Sequence, residues 1–234
     1  MNVSELAFVE GMDDTRAALR RWNAAPRAVL RPWVLGAAAI SVALLAAVWG
    51  VAHAVTPDPT GYLIPGLNEP SSLGSVGHVL FRNSLVLALH AMACVAGFIA
   101  GSSLPMQAER HHGWWRTVHE KAGPAAIVFV AAATTFSLCT QAFVLGNEAA
   151  SLAQQLHVGR AVLMLTLLPH AIPELVALFL PLAAWMLASR REAWNELLAA
   201  TAVTTAIAVP ILILAANLEV FVWPRLLQLA SPVL

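Results

Sequence analysis

Residues 167–179 read LLPHAIPELVALF, and this stretch decides how the chain is interpreted. It lies inside the apolar run 161–188, yet two prolines, a histidine and a glutamate interrupt that run between Pro169 and Glu174. An ionisable side chain at mid-membrane is costly unless it is paired, and it marks a functional site by default. The stretch therefore predicts a membrane helix that is more than a lipid-facing anchor.

The composition is that of an integral membrane protein. Hydrophobic residues make up 59% of the 234 residues and charged residues 11%, whereas ordinary globular domains carry about 25% charge. The mean hydropathy is +0.72. The formal net charge is zero and no dense basic run occurs, which argues against nucleic acid as a partner. Cys94 and Cys139 lie in apolar runs and are interpreted as small buried hydrophobes, with a disulfide or metal pair as the alternative.

Five apolar stretches are each near the ~20 residues that a helix needs to cross about 30 Å of hydrocarbon. They predict an all-α, polytopic transmembrane helix bundle with spans at 33–55, 79–104, 122–145, 161–188 and 198–223. The mixed segment 1–32 predicts a cytoplasmic amphipathic helix at the membrane interface, which leaves 33–234 as the transmembrane helical domain. The Pro-, Gly- and Ser-rich segment 56–78 predicts an ordered loop or a short re-entrant stretch.

Positive charges predict the orientation of these spans. Of the 13 Lys and Arg residues, ten, among them Arg110, fall in segments that are cytoplasmic if the N-terminus is inside. The other three, Arg82, Arg160 and Arg225, fall on the opposite side. Because Lys and Arg favour the cytoplasmic side, we expect a multi-pass membrane protein with its N-terminus inside and its C-terminus outside.

The prolines of the opening stretch predict a break in the fourth helix. Pro169 and Pro173 each remove an amide hydrogen, so the carbonyls of Leu165 and Pro169 lose their helical partners. Broken helices at membrane depth are buried against protein or line a polar cavity. At 1.5 Å per residue, polar residues of four helices share the outer half of the membrane. We expect these residues to converge: Arg82, Asn83, His90, Gln141, His170, Glu174, Asn217 and Glu219.

The chemistry of this predicted polar cluster has several interpretations. His170 and Glu174 stand four residues apart and share a helix face, as a hydrogen-bonded strut, as a proton, ion or substrate path, or as metal or haem ligands. Arg82 and Glu219 either form an ion pair or extend separately to the outer head groups. His90 is interpreted as a core histidine rather than a ligand. We predict no metal, no cofactor and no catalytic residue.

Small residues indicate close helix contacts. Gly97 and Gly101 form a G-x-x-x-G pair in the second span, which permits close approach of another backbone. The contact is either within the chain or a seam between two copies. Membrane lipids and a second copy of the chain are therefore expected partners.

Three blocks of this sequence resemble the stage II sporulation protein M family of bacterial membrane proteins. LLPHAIPELVALFL resembles the family's pattern in which a Glu follows shortly after Pro-His-Gly: Pro169, His170 and Glu174 match, and Ala171 stands in place of the glycine. FRNSLVLALHAMACVAGFIAG is similar to its Phe-x-Asn-Asn helix, with Ser84 in place of the second asparagine. ILILAANLEVFVWP is similar to its closing helix, which ends in a proline. The blocks are distributed over residues 81–224 in the family's order.

The resemblance implies a non-enzymatic component of a bacterial envelope complex, which lies in the bacterial cytoplasmic membrane and positions other envelope proteins as partners. The alternative prediction, from the residues themselves, is a permease or channel-like subunit with an outward-facing polar site around the fourth helix. A third alternative, an intramembrane metallohydrolase using His90, His170, Glu174 and Glu219, lacks a HExxH motif. We therefore predict that the chain is not an enzyme.

Overall fold

The computed structural model describes residues 7–105 and 112–230. In chain order the helices are α1 (Ala7–Ala24), α2 (Pro26–Ala54), α3 (Leu73–Phe98), α4 (Trp114–Gln155), α5 (Arg160–Arg190), α6 (Leu197–Asn217) and α7 (Trp223–Ala230). Two π-helical segments continue helices: Ile99–Ser103 follows α3, and Leu218–Val222 links α6 to α7. Arg110, counted above among the cytoplasmic cations, lies outside the described residues.

The predicted fold class is confirmed. Five helical segments are long and apolar enough to cross a membrane: Pro26–Ala54, Leu73–Ser103, Lys121–Gln155, Arg160–Arg190 and Trp194–Ala230. Over the described ranges the chain has no β-strand, only an isolated bridge between Pro65 and Glu69. The protein is thus an all-α, multi-pass membrane protein.

The predicted break in the fourth helix is not confirmed, because α5 runs from Arg160 to Arg190 as one α-helix. Pro169, Pro173 and Pro181 are spaced by four and eight residues, so the hydrogen bonds that they remove all belong to one row along the helix. The other rows of backbone hydrogen bonds continue past the prolines. The helix therefore persists where the sequence suggested an interruption.

The N-terminal helix α1 ends where the chain meets a proline. Residues before proline avoid helical geometry, and Pro26 is well suited to begin α2. Arg21 Nη2 donates to Glu196 Oε1 at 2.7 Å, and the Trp22 and Trp33 rings meet edge to face at 5.2 Å. These contacts attach α1 to the rest of its unit. Its position at the membrane interface stays a prediction.

Backbone contacts divide the chain into two units, whose boundaries fall inside α2, α3, α4, α5 and α6. The first unit comprises the described residues of Met1–Ala37, Leu87–Thr135 and Phe179–Ala208. The second comprises those of Ala38–Val86, Phe136–Leu178 and Val209–Leu234. Each long helix thus contributes one segment to each unit.

In the first unit, the two glycines of the G-x-x-x-G pair contact tryptophans of the same chain. A Cβ atom at Gly97 would lie 2.7 Å from the Trp185 indole nitrogen and 2.8 Å from Leu197 Cδ1. A Cβ atom at Gly101 would overlap the Trp194 ring. The chain's own side chains therefore occupy the space beside both glycines, as the intrachain alternative predicts.

In the second unit, the loop between α2 and α3 is ordered by hydrogen bonds to the end of α4. The Asp58 amide donates to Ser151 Oγ at 2.8 Å, and the Tyr62 amide donates to Gln155 Oε1 at 2.7 Å. The Thr60 hydroxyl and amide both donate to Asp58 Oδ1, which lowers the pKa of this exposed carboxyl group. Residues 56–72 thus form an ordered loop, the first of the two predicted alternatives, whereas residues 73–78 of the predicted loop belong to α3.

Candidate functional site

Polar side chains from α3, α4, α5 and the π segment after α6 line one cavity of the second unit. This polar cavity has a volume of about 340 Å³. Five of the eight residues that we expected to converge border it: Arg82, Asn83, Gln141, Glu174 and Glu219. The depth count along four separate helices therefore identified residues that share a cavity.

A second cavity of the same unit is mainly apolar and has a volume of about 230 Å³. Leucines and other apolar side chains of α2, α4 and α5 form most of its wall, and Trp223 and His170 also border it. Glu174 and Glu219 line this apolar cavity as well as the polar cavity. The two carboxyl groups thus stand where an apolar and a polar space adjoin.

A third cavity, of about 550 Å³, lies beneath the α2–α3 loop. Leu63, Pro65 and Glu69 of the loop form part of its wall, and Arg82 and Glu219 form another part. Because Arg82 and Glu219 also border the polar cavity, this loop cavity and the polar cavity share two charged residues. All three cavities lie within one unit and border Glu219.

The sequence analysis missed a third carboxyl group at this site. Glu148 borders both the polar and the apolar cavity. It lies seven residues after Gln141, two helical turns along the same face of α4. We had ended the third predicted span at residue 145, which assigned Glu148 to an outer connection. The spacing from Gln141 was the available signal.

Two buried polar atoms at the site have no hydrogen-bond partner among the described residues. Asn83 is 9% exposed and its Nδ2 atom is unpartnered, although Glu174 lies close enough to interact with this side chain. His170 is 5% exposed, and its Nδ1 atom is also unpartnered. An unsatisfied buried donor or acceptor costs about 1–3 kcal/mol. The site therefore retains hydrogen-bonding capacity that the fold does not use.

Glu219 projects from the π-helical segment Leu218–Val222. Pro224 cannot donate the amide hydrogen that the Val220 carbonyl would accept in an α-helix. The Ser71 hydroxyl donates to that carbonyl instead, at 3.0 Å. π-Helical segments are rare and occur frequently at functional sites. The local backbone around Glu219 is thus irregular and is stabilised from the loop side.

Trp223 is fixed in orientation beside His170. Its indole nitrogen donates to Thr166 Oγ1 at 3.3 Å, and the Thr166 hydroxyl donates to the Leu163 carbonyl at 2.8 Å. The rings of His170 and Trp223 meet edge to face, with their centroids 6.1 Å apart. Two aromatic side chains therefore form a defined wall of the apolar cavity.

The remaining predicted residues lie elsewhere. His90 belongs to the first unit, where it is fully buried and contacts the Phe179 ring at 5.2 Å. Asn217 Nδ2 donates to the Ile213 carbonyl of its own helix at 2.7 Å. Among the described residues no ion pair joins Arg82 to Glu219, although Arg82 lies near enough to attract the carboxyl groups of Glu219 and Glu174, so neither of the two predicted alternatives is confirmed.

The donor set does not form a metal centre. Over residues 7–105 and 112–230, no group of three His, Cys, Asp or Glu side chains is placed to hold a metal ion. The three carboxyl groups and the imidazole are therefore arranged as hydrogen-bonding and charged groups around a space. Such an arrangement can bind a proton, a monovalent cation or a polar group that donates hydrogen bonds.

Comparison with known proteins finds no match: no family model, no curated protein and no solved structure is significantly similar to the chain. The resemblance to the stage II sporulation protein M family therefore stays a prediction.

The Asn83→Leu substitution should stabilise the fold, because it removes a buried amide with an unsatisfied nitrogen and keeps a similar volume. We expect the free energy of unfolding to rise by about 1 kcal/mol, or roughly 2–4 °C in Tm for a chain of this size. Thermal unfolding of the purified protein in detergent measures the change. The matched control is Asn217→Leu, which removes an amide that has its partner. A lower Tm for Asn83→Leu than for Asn217→Leu would contradict the prediction.

Proposed function

We propose that the protein is a permease or channel-like subunit, in which a cation or proton reaches the carboxyl groups of the second unit. One observation carries the proposal. Glu174 and Glu219 border both the polar and the apolar cavity, and Glu219 and Arg82 also border the loop cavity. A series of cavities that share ionisable residues is what a path for charged species through a membrane requires.

The alternative of a structural strut has less support. A strut would be held by mutual hydrogen bonds or ion pairs, because an unpaired charge in a membrane is destabilising. In the described part of the chain Arg82 attracts Glu174 and Glu219 only from a distance, without an ion pair, and Asn83 Nδ2 and His170 Nδ1 lack well-formed hydrogen bonds. α5 also remains helical, so there is no break for a strut to hold.

The proposed path opens towards the outside of the bacterial cytoplasmic membrane. This direction follows from the positive charges, ten of which would be cytoplasmic with the N-terminus inside. On that orientation the α2–α3 loop is an outer loop. The loop cavity would then be the outer vestibule, and the polar cavity would lie next to it.

A flux assay tests the proposal. Purified protein is reconstituted into liposomes that contain a pH-sensitive dye, and a membrane potential is applied with potassium and valinomycin. We expect proton uptake above that of protein-free liposomes, with at least about a tenfold loss in Glu174→Gln and Glu219→Gln, because each change removes a carboxylate from the path. A parallel assay under the same membrane potential measures the uptake of sodium or of methylammonium instead of protons.

The matched control is Glu192→Gln, which removes an exposed carboxyl group from the first unit. It should retain the flux of the unchanged chain. Size-exclusion profiles and Tm values must show that all three variants are folded. Folded protein that transports none of the three cations would overturn the proposal, and equal flux in Glu174→Gln and Glu192→Gln would remove the site from the path.

A second candidate function, the positioning of partner proteins in an envelope complex, is favoured by the surface of α4. Only 11% of the most hydrophobic 18-residue stretch within Lys121–Gln155 is buried inside the protein. In the second unit, Phe136 and Phe143 are exposed and stand seven residues apart, so they share one helix face. Such a ridge suits contact with a helix of another membrane protein.

Photo-crosslinking distinguishes this candidate from a lipid-facing helix. A photoreactive phenylalanine at position 136 should give a protein adduct of defined mass in cells, whereas the same group at the buried position 179 should not. Crosslinks to lipid alone at position 136 would contradict a partner-positioning role for this face.

A further inference from the structure

We propose that the site takes a primary ammonium group carried on a small apolar body, such as a one-ring or short-chain amine. The apolar body would lie in the apolar cavity, and the ammonium group would lie at the carboxyl groups that close its polar side. The inference rests on the site of the proposed function and names its ligand class. It does not require that the ligand be transported.

The charges of the site point to a cation. Glu148, Glu174 and Glu219 all border the apolar cavity, and no Lys or Arg side chain does. Arg82 borders the adjacent polar cavity and attracts Glu174 and Glu219 without forming an ion pair among the described residues, so three carboxyl groups face one guanidinium group. Ionising several carboxyl groups together in a poorly hydrated space is costly, and a bound cation offsets that cost.

An unpartnered histidine points to a hydrogen-bond donor rather than a bare ion. His170 is 95% buried, lines the apolar cavity, and leaves Nδ1 without a partner among the described residues. In one neutral tautomer Nδ1 is an acceptor. A primary ammonium group has three hydrogens, enough for the imidazole and two carboxylates, whereas a quaternary ammonium group has none.

The size and lining of the apolar cavity limit the rest of the ligand. Its volume is about 230 Å³, and its wall includes Leu44, Val48, Leu167 and Leu175. A dry protein cavity of about 150 Å³ accommodates benzene, so the present one holds a single ring or a short alkyl chain. The Trp223 indole, held by Thr166, adds an aromatic face that attracts a cation.

Two sources supply this chemistry, a free amine and the ethanolamine head group of a phospholipid. Both present a primary ammonium group next to apolar matter. The experiment therefore uses nanodiscs made only of phosphatidylcholine, which has no primary ammonium group, and compares them with nanodiscs that also contain phosphatidylethanolamine.

The probe is benzylammonium, and its binding to the full chain is measured by calorimetry and by the shift in Tm, with empty nanodiscs as the blank. We expect benzyl alcohol, which lacks the charge, and benzyltrimethylammonium, which lacks the N–H donors, to bind at least about tenfold more weakly. Equal binding of either compound would overturn the proposal. Absence of benzylammonium binding to folded protein in phosphatidylcholine would overturn it too.

Variants assign the two ends of the ligand. Glu174→Gln and Glu219→Gln should each weaken benzylammonium binding by at least about tenfold, and Glu192→Gln should not change it. Ala171→Leu, which adds volume inside the apolar cavity, should weaken binding of benzylammonium but not of methylammonium. Binding that survives both glutamate changes would contradict the assigned site.

The two lipid compositions separate the sources. If phosphatidylethanolamine weakens benzylammonium binding by competition, the lipid head group is the source; if it has no effect, a free amine is. Binding without flux would retain this inference and remove the permease function. Flux of protons without amine binding would retain the permease function and overturn this inference.

Discussion

The Gly101→Ala substitution is expected to lower the free energy of unfolding of the protein by about 3 kcal/mol, at the upper end of the range for overpacking. The added Cβ atom would overlap Cγ and Cδ2 of the Trp194 indole, which is a rigid ring rather than the end of a flexible chain. Gly97, one helical turn earlier, is confined in the same way by Trp185 and Leu197. The combined Gly97→Ala and Gly101→Ala chain should therefore fail to fold.

Thermal unfolding in detergent, with size-exclusion chromatography as the check on aggregation, measures this loss. The matched control is Gly77→Ala in the same helix, where a Cβ atom would meet nothing within 4 Å. There alanine should be neutral, or stabilising by up to about 1 kcal/mol through its helix propensity. Adding Trp194→Leu to Gly101→Ala should restore part of the stability. Equal Tm values for Gly101→Ala and Gly77→Ala would show that Trp194 does not confine Gly101.

The Gly66→Ala substitution is expected to detach the α2–α3 loop from its unit. Gly66 has a φ angle of +87°, in the region that favours glycine, and its amide donates to the Glu69 carbonyl at 2.6 Å. A Cβ atom there would lie 2.8 Å from Pro224 Cγ and 2.9 Å from Ser71 Oγ. Backbone strain and overlap together should cost about 3 kcal/mol.

Limited proteolysis measures this detachment, because a protease can cleave the loop only after the loop separates from the helices that hold it. Cleavage should be at least about tenfold faster in Gly66→Ala than in the unchanged chain, which corresponds to a change of about 1.4 kcal/mol in the opening equilibrium. Gly61→Ala is the matched control, since a Cβ atom there would meet nothing within 4 Å. Equal cleavage of the two variants would show that Gly66 does not hold the loop.

The sequence predicted the helical fold because apolar run length is a direct consequence of membrane thickness. It did not predict the continuity of α5, since the effect of a proline depends on whether its neighbours disturb the same row of hydrogen bonds. Pro169, Pro173 and Pro181 share one such row. The sequence also did not predict where α4 ends. Glu148 and Ser151 are polar, but the helix continues through them to Gln155. Polar residues end an apolar run without ending a helix.

The sequence predicted how deep in the membrane the site residues lie, but not towards which neighbouring helix each side chain points. Counting 1.5 Å per residue gives the level of a side chain in the membrane, and this sufficed for Arg82, Glu174 and Glu219. The rotation of each helix about its axis depends on tertiary contacts that the count does not contain. His90 illustrates the limit, because its ring faces Phe179 in the first unit.

The π-helical segment Leu218–Val222 makes the arrangement of the site depend on chain length as well as on side-chain chemistry. A π turn contains one residue more than an α turn, so the residues after it are rotated about the helix axis relative to those before it. Deleting a single residue there would favour α-helix and rotate Trp223 and Pro224 by about 100° relative to α6. Every ionisable group would remain in the sequence, yet the indole would turn away from His170 and the proline from the loop. In this protein an insertion or deletion of one residue in this segment is therefore the smallest change that keeps every side chain of the site and alters their arrangement.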